Sequence, residues 1–315
     1  MAKNIRVRAS MISDRVIMVQ KGLKRGFVYF ILIAGSIVFL YPIFYAVAVG
    51  FMTAEVFAVT PPSLWAIPSQ ITLGNYRRLL LGAGDVYMKY YFFNSFARAA
   101  WYVFIMVITS LVAGYIFARL KFWGREVIFF GLLISVMLPP VITMAPTYIM
   151  MARFPLVGGN NIFGQGGTGF IDTYPVLFIM GLVNVLGIFL MRMAMYSMPI
   201  ELEEAARIDG AGTLRIIFQI VAPIQKPILA YIAITTGIML WNDWFTPFIY
   251  VNKRSYLPLA AAISKMTAIA VGQYGLPDWP RIITMGLGLT LPCLFLFAYF
   301  QRYIVEGLAS AALKG

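Results

Sequence analysis

The sequence predicts an all-α polytopic membrane protein with six transmembrane helices. Of its 315 residues, 61% are hydrophobic and only 12% are charged, whereas soluble domains carry about 45–50% apolar and about 25% charged residues. The mean hydropathy is +0.83. The apolar runs are close to the length of about 20 residues that crosses a bilayer, and they lack the alternation of a membrane β-barrel. A spanning backbone must satisfy its own polar groups, so these runs are predicted to be helices.

The predicted spans define three regions of the chain. Residues 1–25 form a basic segment, residues 26–305 form one transmembrane domain, and residues 306–315 form a tail. The six spans are, in chain order, 26–52, 94–120, 127–151, 174–198, 227–250 and 282–305. Three prolines, Pro139, Pro140 and Pro146, predict a kink in the third span.

Basic residues set the predicted orientation. Before the first span, seven lysines and arginines stand against one acid, Asp14, which places the N-terminus in the cytoplasm. An even number of spans returns the C-terminus to the same side, so the long connections 53–93, 152–173 and 251–281 face outward. The net charge of +13 is thereby explained by topology and does not indicate a nucleic-acid partner.

The composition disfavours a catalytic or metal-binding protein. Histidine is absent, and the single cysteine, Cys293, lies in an apolar run. Gly164, Gly166 and Gly169 satisfy the pattern G-x-G-x-x-G, but they lie in a predicted external loop without a preceding strand. We interpret residues 157–170 as a flexible glycine-rich loop. The sequence predicts no metal site, no cofactor and no enzymatic activity in this chain.

One charged segment, residues 199–224, interrupts the apolar second half of the chain. Pro199 favours a helix start, and acids in the following turn suit the positive end of the helix dipole. Glu203 and Arg207 are spaced to form an i, i+4 pair. Gly210 and Gly212 are predicted to end this helix. A short amphipathic helix is predicted next, with Pro223 near its end and an apolar stripe of Leu214, Ile217, Phe218 and Val221.

The same segment resembles the EAA loop of ABC importer permeases. Its pattern is E-A-A, three residues, G, nine residues, then I-x-L-P, and Ala222 here replaces the usual leucine. The matching residues are Glu204, Ala205, Ala206, Gly210, Ile220 and Pro223. The stretches MLPPVITMAP, WNDWFTPFI and QRYIVEGLASAALKG resemble the carbohydrate-uptake, maltose-permease (MalG-like) branch. The resemblance covers most of the chain except the first 25 residues and the glycine-rich loop.

The resemblance implies a type I ABC importer permease fold in the bacterial cytoplasmic (inner) membrane. It implies that the EAA loop, with Arg207, is a coupling helix that docks on an ATPase, and that ATP and Mg²⁺ are bound by that partner. The tail residues Lys314 and Gly315 are implied to contact the ATPase, and the loop MTAIAVGQYGLPDWP to reach the binding protein. The implied partners are a second permease chain, two ATPase subunits, an extracytoplasmic solute-binding protein and a carbohydrate.

A substrate path is predicted near the end of the fifth span. It consists of Asn184, Trp241, Asn242, Asp243 and Trp244, because an ionisable group in a span marks a pathway and aromatic faces beside polar groups suit sugars. The competing interpretation is a helix end in the aromatic belt.

The sequence leaves alternatives open for the function and for the substrate. An ion-coupled secondary transporter is the alternative function, and a scaffold subunit without a transport path is a further one. The outer basic residues Lys253, Arg254 and Lys265 would also be compatible with an acidic glycan.

Overall fold

The computed structural model describes the backbone of residues 2–59, 71–82, 87–269 and 277–312. It describes the side chains of these residues except 2–21, 59, 268–269, 296 and 299–312. Within the described residues all regular secondary structure is helical, as the all-α prediction requires. The predicted contacts of Lys314 and Gly315, and of the centre of the loop at 270–276, lie outside the described residues.

The chain contains long apolar helices and several shorter ones between them. The first eight are α1 Ala2–Gly50, α2 Ala54–Val59, α3 Gly74–Leu81, α4 Met88–Arg119, α5 Arg125–Met137, α6 Pro140–Ala152, α7 Val176–Ile179 and α8 Val185–Ser197. The charged segment holds α9 Glu201–Ile208, α10 Thr213–Arg215, a π-helical turn Ile216–Val221 and α11 Ala222–Ile224. The chain ends with α12 Lys226–Asn242, α13 Phe245–Tyr250, a 3₁₀ turn Arg254–Tyr256, α14 Leu259–Ile269 and α15 Trp279–Ala312.

Two of the predicted spans are continuous helices. Gly22–Gly50 and Met88–Arg119 are each long and apolar enough to cross a membrane. The third predicted span is the pair α5 and α6, which meet at an angle of 102°. Leu138, which precedes Pro139, has extended backbone angles because a proline ring disfavours the helical region for the residue before it. The expected kink is therefore a full break.

The fourth and fifth predicted spans are shorter helices than the apolar runs suggested. In the fourth run, residues 180–184 are not helical, with Gly181 at φ 65°, and α8 begins only after Asn184. In the fifth run, Asp243 has extended angles and ends α12. Counting each bent pair of helices as one, the described residues contain up to five spans, and the number six stays a prediction.

The chain divides into two compact units. One comprises Met1–Tyr76 and Trp279–Thr284, and the other comprises Arg77–Asp278 and Met285–Gly315. In the first unit, the Asn75 side-chain amide donates to the carbonyls of Gly50 (3.1 Å) and Met52 (2.9 Å), which ties the chain to the end of α1.

Helix α4 is the centre of the second unit. It packs most extensively against α8 and α12. Its buried residues recur every three or four positions and so form one continuous stripe. They include polar residues at one end and tyrosines along the length: Asn94, Ser95, Arg98, Tyr102 and Tyr115.

Helices α4 and α8 cross in close contact at Gly114. A Cβ atom on Gly114 would lie 2.4 Å from the Cβ atom of Met191 and 3.2 Å from the backbone nitrogen of Arg192. Only glycine therefore fits between these two helices without moving them.

Gly114→Ala is expected to destabilise the protein by about 1–3 kcal/mol because it overpacks this crossing. The matched control is Gly131→Ala, also within a helix, where no atom lies within 4 Å of the added carbon. We expect the control to be neutral or slightly stabilising, since alanine favours helix by about 0.5–1 kcal/mol. Thermal unfolding in detergent measures both, and equal melting temperatures would contradict the assigned contact.

The glycine-rich loop is compactly folded, so its interpretation as a flexible loop is wrong. The Asn160 side chain, which is 7% exposed, donates to the carbonyls of Ala152 (2.9 Å) and Phe154 (3.0 Å) and accepts from the Gly167 N–H (2.9 Å). At Gly169 (φ 59°), an added Cβ would meet the Met151 carbonyl oxygen at 2.2 Å. The glycines therefore serve close backbone packing, which glycine content alone does not distinguish from flexibility.

Candidate functional site

Helix α9 presents the residues of the EAA pattern on two faces. Glu203 and Ala206 are buried, whereas Glu204, Ala205 and Arg207 are exposed. Three acids, including Glu203 and Glu204, lie in the first turn, where the N-terminal dipole stabilises negative charge. One face of α9 thus packs against the rest of the second unit, and the other face is exposed.

A buried ion pair holds α9 against the end of α4. The Arg119 Nε atom donates to Glu203 Oε1 (2.7 Å), and the Tyr115 hydroxyl donates to Glu203 Oε2 (3.0 Å). A second Arg119 nitrogen donates to the Met198 carbonyl (2.8 Å) at the end of α8. Arg119 therefore joins α4 to both α9 and the end of α8.

The predicted pair of Glu203 with Arg207 is not formed. Arg207 instead donates to the Tyr115 hydroxyl (3.3 Å), and the Glu203 carboxylate is occupied by Arg119 and Tyr115. The i, i+4 spacing predicted Arg207 as the partner. The buried Glu203 carboxylate instead pairs with Arg119, which lies largely buried beside it. The basic end of α4 is the signal that could have predicted it.

The second half of the charged segment differs from the predicted amphipathic helix. Gly210 turns the chain at φ 79°, as expected. The stripe prediction was wrong, because Ile216, Ile217 and Val221 are buried whereas Leu214 and Phe218 are 68% and 46% exposed. A π-helical turn at Ile216–Val221 shifts the register by inserting an extra residue into the turn.

The second half of the charged segment contains both Pro223 and the π-helical turn. Pro223 lies two residues after the turn, within α11, and lacks the N–H that a regular helix would use there. Ile220 is half-buried against the core of the second unit, and Pro223 is exposed.

The free face of the segment is apolar and charged. Ile208 is 87% exposed and Leu214 is 68% exposed, and Glu204 and Arg207 are exposed beside Ile208 on α9. Apolar anchors surrounded by hydrogen-bonding charges are typical of protein interfaces. This face can bind a protein surface that offers a complementary groove and charges.

The predicted substrate-path residues separate into two groups. Asn184 caps α8 by accepting from the Gly187 N–H (2.9 Å), and its amide lies 3.4 Å from the Thr236 hydroxyl. Trp241 is buried and donates to the Leu289 carbonyl (2.7 Å). These two residues stabilise packing and do not line the cavity described below.

Asn242, Asp243 and Trp244 do line a cavity of about 620 Å³ in the second unit. Its other polar groups come from α4, α6 and α13, and its apolar lining is rich in methionine. The further residues used below are Arg98, Tyr102, Thr143, Thr147 and Tyr250. The cavity has a volume typical of small-ligand sites, and aromatic rings lie beside hydroxyl, amide and carboxylate groups.

Arg98 is the cavity residue that sequence reasoning missed. Its Nη2 atom donates to Asp243 Oδ2 at 2.6 Å, and its Nε atom donates to the Leu177 carbonyl at 3.2 Å. The Arg98 side chain is 3% exposed and the Asp243 side chain is 20% exposed. Among the described residues, Arg98 Nη1 has no hydrogen-bond partner. A lone arginine in an apolar helix is itself a signal for a partner within the membrane.

Asp243 makes a second interaction at the break after α12. Its Oδ1 atom accepts from the Thr246 N–H (3.1 Å), so it caps α13 while Oδ2 pairs with Arg98. The carboxylate is the more exposed member of the pair, and it presents hydrogen-bond acceptors toward the cavity. A sugar hydroxyl is a suitable donor for such a group.

Comparison with known proteins identifies the family. Residues 110–310 match the family described as "Binding-protein-dependent transport system inner membrane component". The chain is 30% identical over 293 residues to the sn-glycerol-3-phosphate transport system permease protein UgpE of Pectobacterium atrosepticum, which covers 90% of this chain and 96% of that protein.

Two further comparisons agree with this match. The arabinooligosaccharides transport system permease protein AraQ of Halalkalibacterium halodurans is 28% identical over 79% of this chain and 81% of its own length. A crystal structure of a bacterial ABC transporter that imports the acidic polysaccharide alginate superposes with a TM-score of 0.66, at 24% identity, over 88% of this chain and 95% of that chain. The fold is therefore that of an ABC transporter permease, and the chain belongs to the family of inner membrane components of binding-protein-dependent transport systems.

Proposed function

We propose that this chain is the transmembrane permease subunit of an ABC importer that moves a carbohydrate into a bacterial cell. It contributes no ATPase activity and binds no cofactor itself, because partner subunits bind ATP and Mg²⁺. The other proposed partners are a second, different permease chain, two ATPase subunits and an extracytoplasmic solute-binding protein. The proposed orientation in the cytoplasmic membrane places both termini in the cytoplasm, on the side of the EAA segment.

The observation that carries this proposal is that α4 links the two candidate sites. Near its C-terminal end, Arg119 binds Glu203 of the EAA segment, and 21 residues earlier Arg98 binds Asp243 in the cavity. At 1.5 Å per residue, the two arginines are about 31 Å apart along one helix. Closure of an ATPase pair against α9 would therefore move the cavity wall as part of a rigid helix.

The cavity supports a sugar as the substrate. Tyr102, Trp244 and Tyr250 offer rings to apolar sugar faces, and Asn242 and Asp243 offer hydrogen bonds. The relatives named above transport an arabinooligosaccharide and glycerol phosphate, and the similar structure imports a polysaccharide. We therefore propose a carbohydrate, and an oligosaccharide in particular.

The ion-coupled alternative receives less support. A carrier of that type needs an ionisable group that is free to exchange an ion or a proton. The Asp243 carboxylate is instead paired with Arg98 at 2.6 Å, so it is already engaged by a side chain of the protein. The family match adds weight against this alternative.

Glu204→Ala in the reconstituted complex tests the proposed coupling. We expect solute-stimulated ATP hydrolysis and uptake to fall at least about tenfold, because a charge-assisted hydrogen bond across an interface is worth about 1.5–3 kcal/mol. The matched control is Glu201→Ala, another exposed acid in the first turn of α9, which should retain coupling. Uptake that persists in Glu204→Ala without any ATPase subunit would overturn the proposed function.

A further inference from the structure

The cavity of the second unit carries two charges that are unequally accessible. Among the described residues that line it, only Arg98 and Asp243 are formally charged. The Arg98 side chain is almost completely buried, whereas a fifth of the Asp243 side chain is exposed. The guanidinium is also held away from other partners, because Nη2 binds Asp243 and Nε binds the Leu177 carbonyl. The accessible charge of the cavity is therefore negative.

Four other polar side chains of the cavity have already engaged donors within the protein. The hydroxyls of Thr143 and Thr147 donate to backbone carbonyls of α6 (3.0 and 2.6 Å). The Tyr102 hydroxyl donates to the Met180 carbonyl, and the Asn242 amide donates to a backbone carbonyl of α12 (2.9 Å). Hydroxyl and amide oxygens keep their lone pairs in such an arrangement. These groups, like the Asp243 carboxylate, therefore offer mainly acceptors to a ligand.

One donor in the wall of the cavity is left without an acceptor. Arg98 lines the cavity, and its Nη1 atom is buried and makes no hydrogen bond to any described residue. A buried donor without a partner costs free energy, and such groups are rare in folded proteins. An oxygen atom of a ligand bound at the Arg98–Asp243 pair would supply the missing acceptor.

A sugar hydroxyl matches this ion pair chemically. It is both a donor and an acceptor, so one hydroxyl can donate to the Asp243 carboxylate and accept from Arg98 Nη1. A carboxylate or a phosphate can only accept, and beside Asp243 it places like charges in a site of low dielectric constant, where they repel strongly. The rest of the lining is rich in methionine and aromatic side chains, which do not solvate a charge.

The basic residues of the connection after α13 lie outside the cavity. Lys253, Arg254 and Lys265 are among the described residues but do not line it. The Lys265 ammonium donates to a backbone carbonyl and a side-chain amide of the same connection, and the Lys253 ammonium lies 5.2 Å from the ring centroid of Tyr256. These cations therefore make no contact that would neutralise an acidic glycan within the cavity.

We propose that Arg98 and Asp243 form a hydroxyl-binding subsite that selects uncharged sugars over sugars that carry a carboxylate or a phosphate. This inference rests on the proposed function, which makes the cavity part of a carbohydrate path, and it names the class of carbohydrate. Asp243 accepts from a sugar hydroxyl and repels an anion, and Arg98 orients the carboxylate and donates from Nη1. The expected specificity differs from that of the similar glycerol-phosphate permease and alginate importer.

The test is direct binding of sugars to the complete importer complex in nanodiscs. The solute-binding protein is left out, so that its own specificity does not enter the measurement. The probes are disaccharides of glucose, galactose and mannose, each paired with the disaccharide of the corresponding uronic acid. Ligand-observed NMR titration gives the Kd of each. We expect each uronate to bind at least about tenfold more weakly than its neutral partner, a difference of about 1.4 kcal/mol.

Two variants assign this preference to the cavity. Asn242→Lys adds a cation at an exposed position of the lining and should improve uronate binding at least about tenfold. Arg98→Met/Asp243→Asn removes both charges together and should weaken binding of the neutral sugars and abolish the preference. Lys253→Gln/Arg254→Gln is the control outside the cavity and should match wild type. Thermal unfolding of each variant is measured in parallel.

The outcomes separate the two proposals. If no carbohydrate stimulates ATP hydrolysis by the wild-type complex with its solute-binding protein, the proposed function fails. If that stimulation is seen, the subsite inference alone is overturned by a uronate that binds as tightly as its neutral partner, or by the absence of binding from all six disaccharides. An unchanged preference in Arg98→Met/Asp243→Asn also overturns it. Loss of the preference in Lys253→Gln/Arg254→Gln would overturn it too, because the outer cations would then set the specificity.

Discussion

Replacing Glu203 by alanine is expected to destabilise the protein by about 3–5 kcal/mol, because removal of one partner leaves the other as an uncompensated buried charge. The Arg119 and Glu203 side chains are 11% and 4% exposed, so water cannot replace the lost carboxylate. The Tyr115 hydroxyl loses its acceptor as well. We expect the melting temperature to fall by roughly 10 °C, at about 2–4 °C per kcal/mol, and stimulated ATP hydrolysis to be lost because α9 is no longer fixed to α4.

The double variant Glu203→Leu/Arg119→Leu separates stability from coupling. A buried ion pair can be replaced by apolar residues of similar size at little cost, so the double variant should recover most of the lost melting temperature. It should not recover coupling, since the hydrogen bonds from Arg119 to both Glu203 and Met198 are gone. A single Glu203→Ala variant with wild-type stability would contradict the assigned role of this ion pair.

Asp243→Asn is expected to have an effect of similar size at the opposite end of α4. The substitution preserves the acceptor for the Thr246 N–H but leaves the Arg98 guanidinium, 3% exposed, without its counter-charge. We expect a loss of about 3–5 kcal/mol of stability and a loss of uptake. Unfolding curves and uptake by the reconstituted complex measure the two effects.

The variant Arg98→Met/Asp243→Asn is the control for this second prediction. It removes both charges together, so stability should return toward the wild-type value. An ion-coupled carrier would behave differently in transport, since Asp243→Asn would then abolish the dependence of uptake on an ion gradient. A scaffold subunit would tolerate all of these changes without any loss of uptake.

The sequence was sufficient for the membrane class and the helical fold, because apolar composition and run length act over whole segments. It did not predict the breaks at Met180–Asn184 and at Asp243, where the run stays apolar although the helix stops. Hydropathy reports transfer into the membrane and is insensitive to backbone angles. Only proline, at Pro139, gave a local signal for a break.

The candidate sites were predictable in their residues and less so in their pairings. Glu203 was identified with the wrong arginine because i, i+4 spacing is visible in sequence, whereas the contact with Arg119 joins residues 84 positions apart. Arg98 was overlooked because its partner lies 145 positions away. The apolar stripe of the EAA segment was wrong at Leu214 and Phe218 because a π-helical turn changes the helical period assumed for it.

The long-range contacts of α4 have a consequence for how the chain is made. Asp243, the partner of Arg98, is synthesised after α4. So is Ser255, the partner of Asn94, which lies 161 positions further along the chain. At about 5–20 residues per second, the 145 residues that separate Arg98 from Asp243 take about 7–29 s to synthesise. During that interval Arg98 has no carboxylate partner. The nascent chain must therefore keep this charge solvated until the segment that carries Asp243 has been inserted.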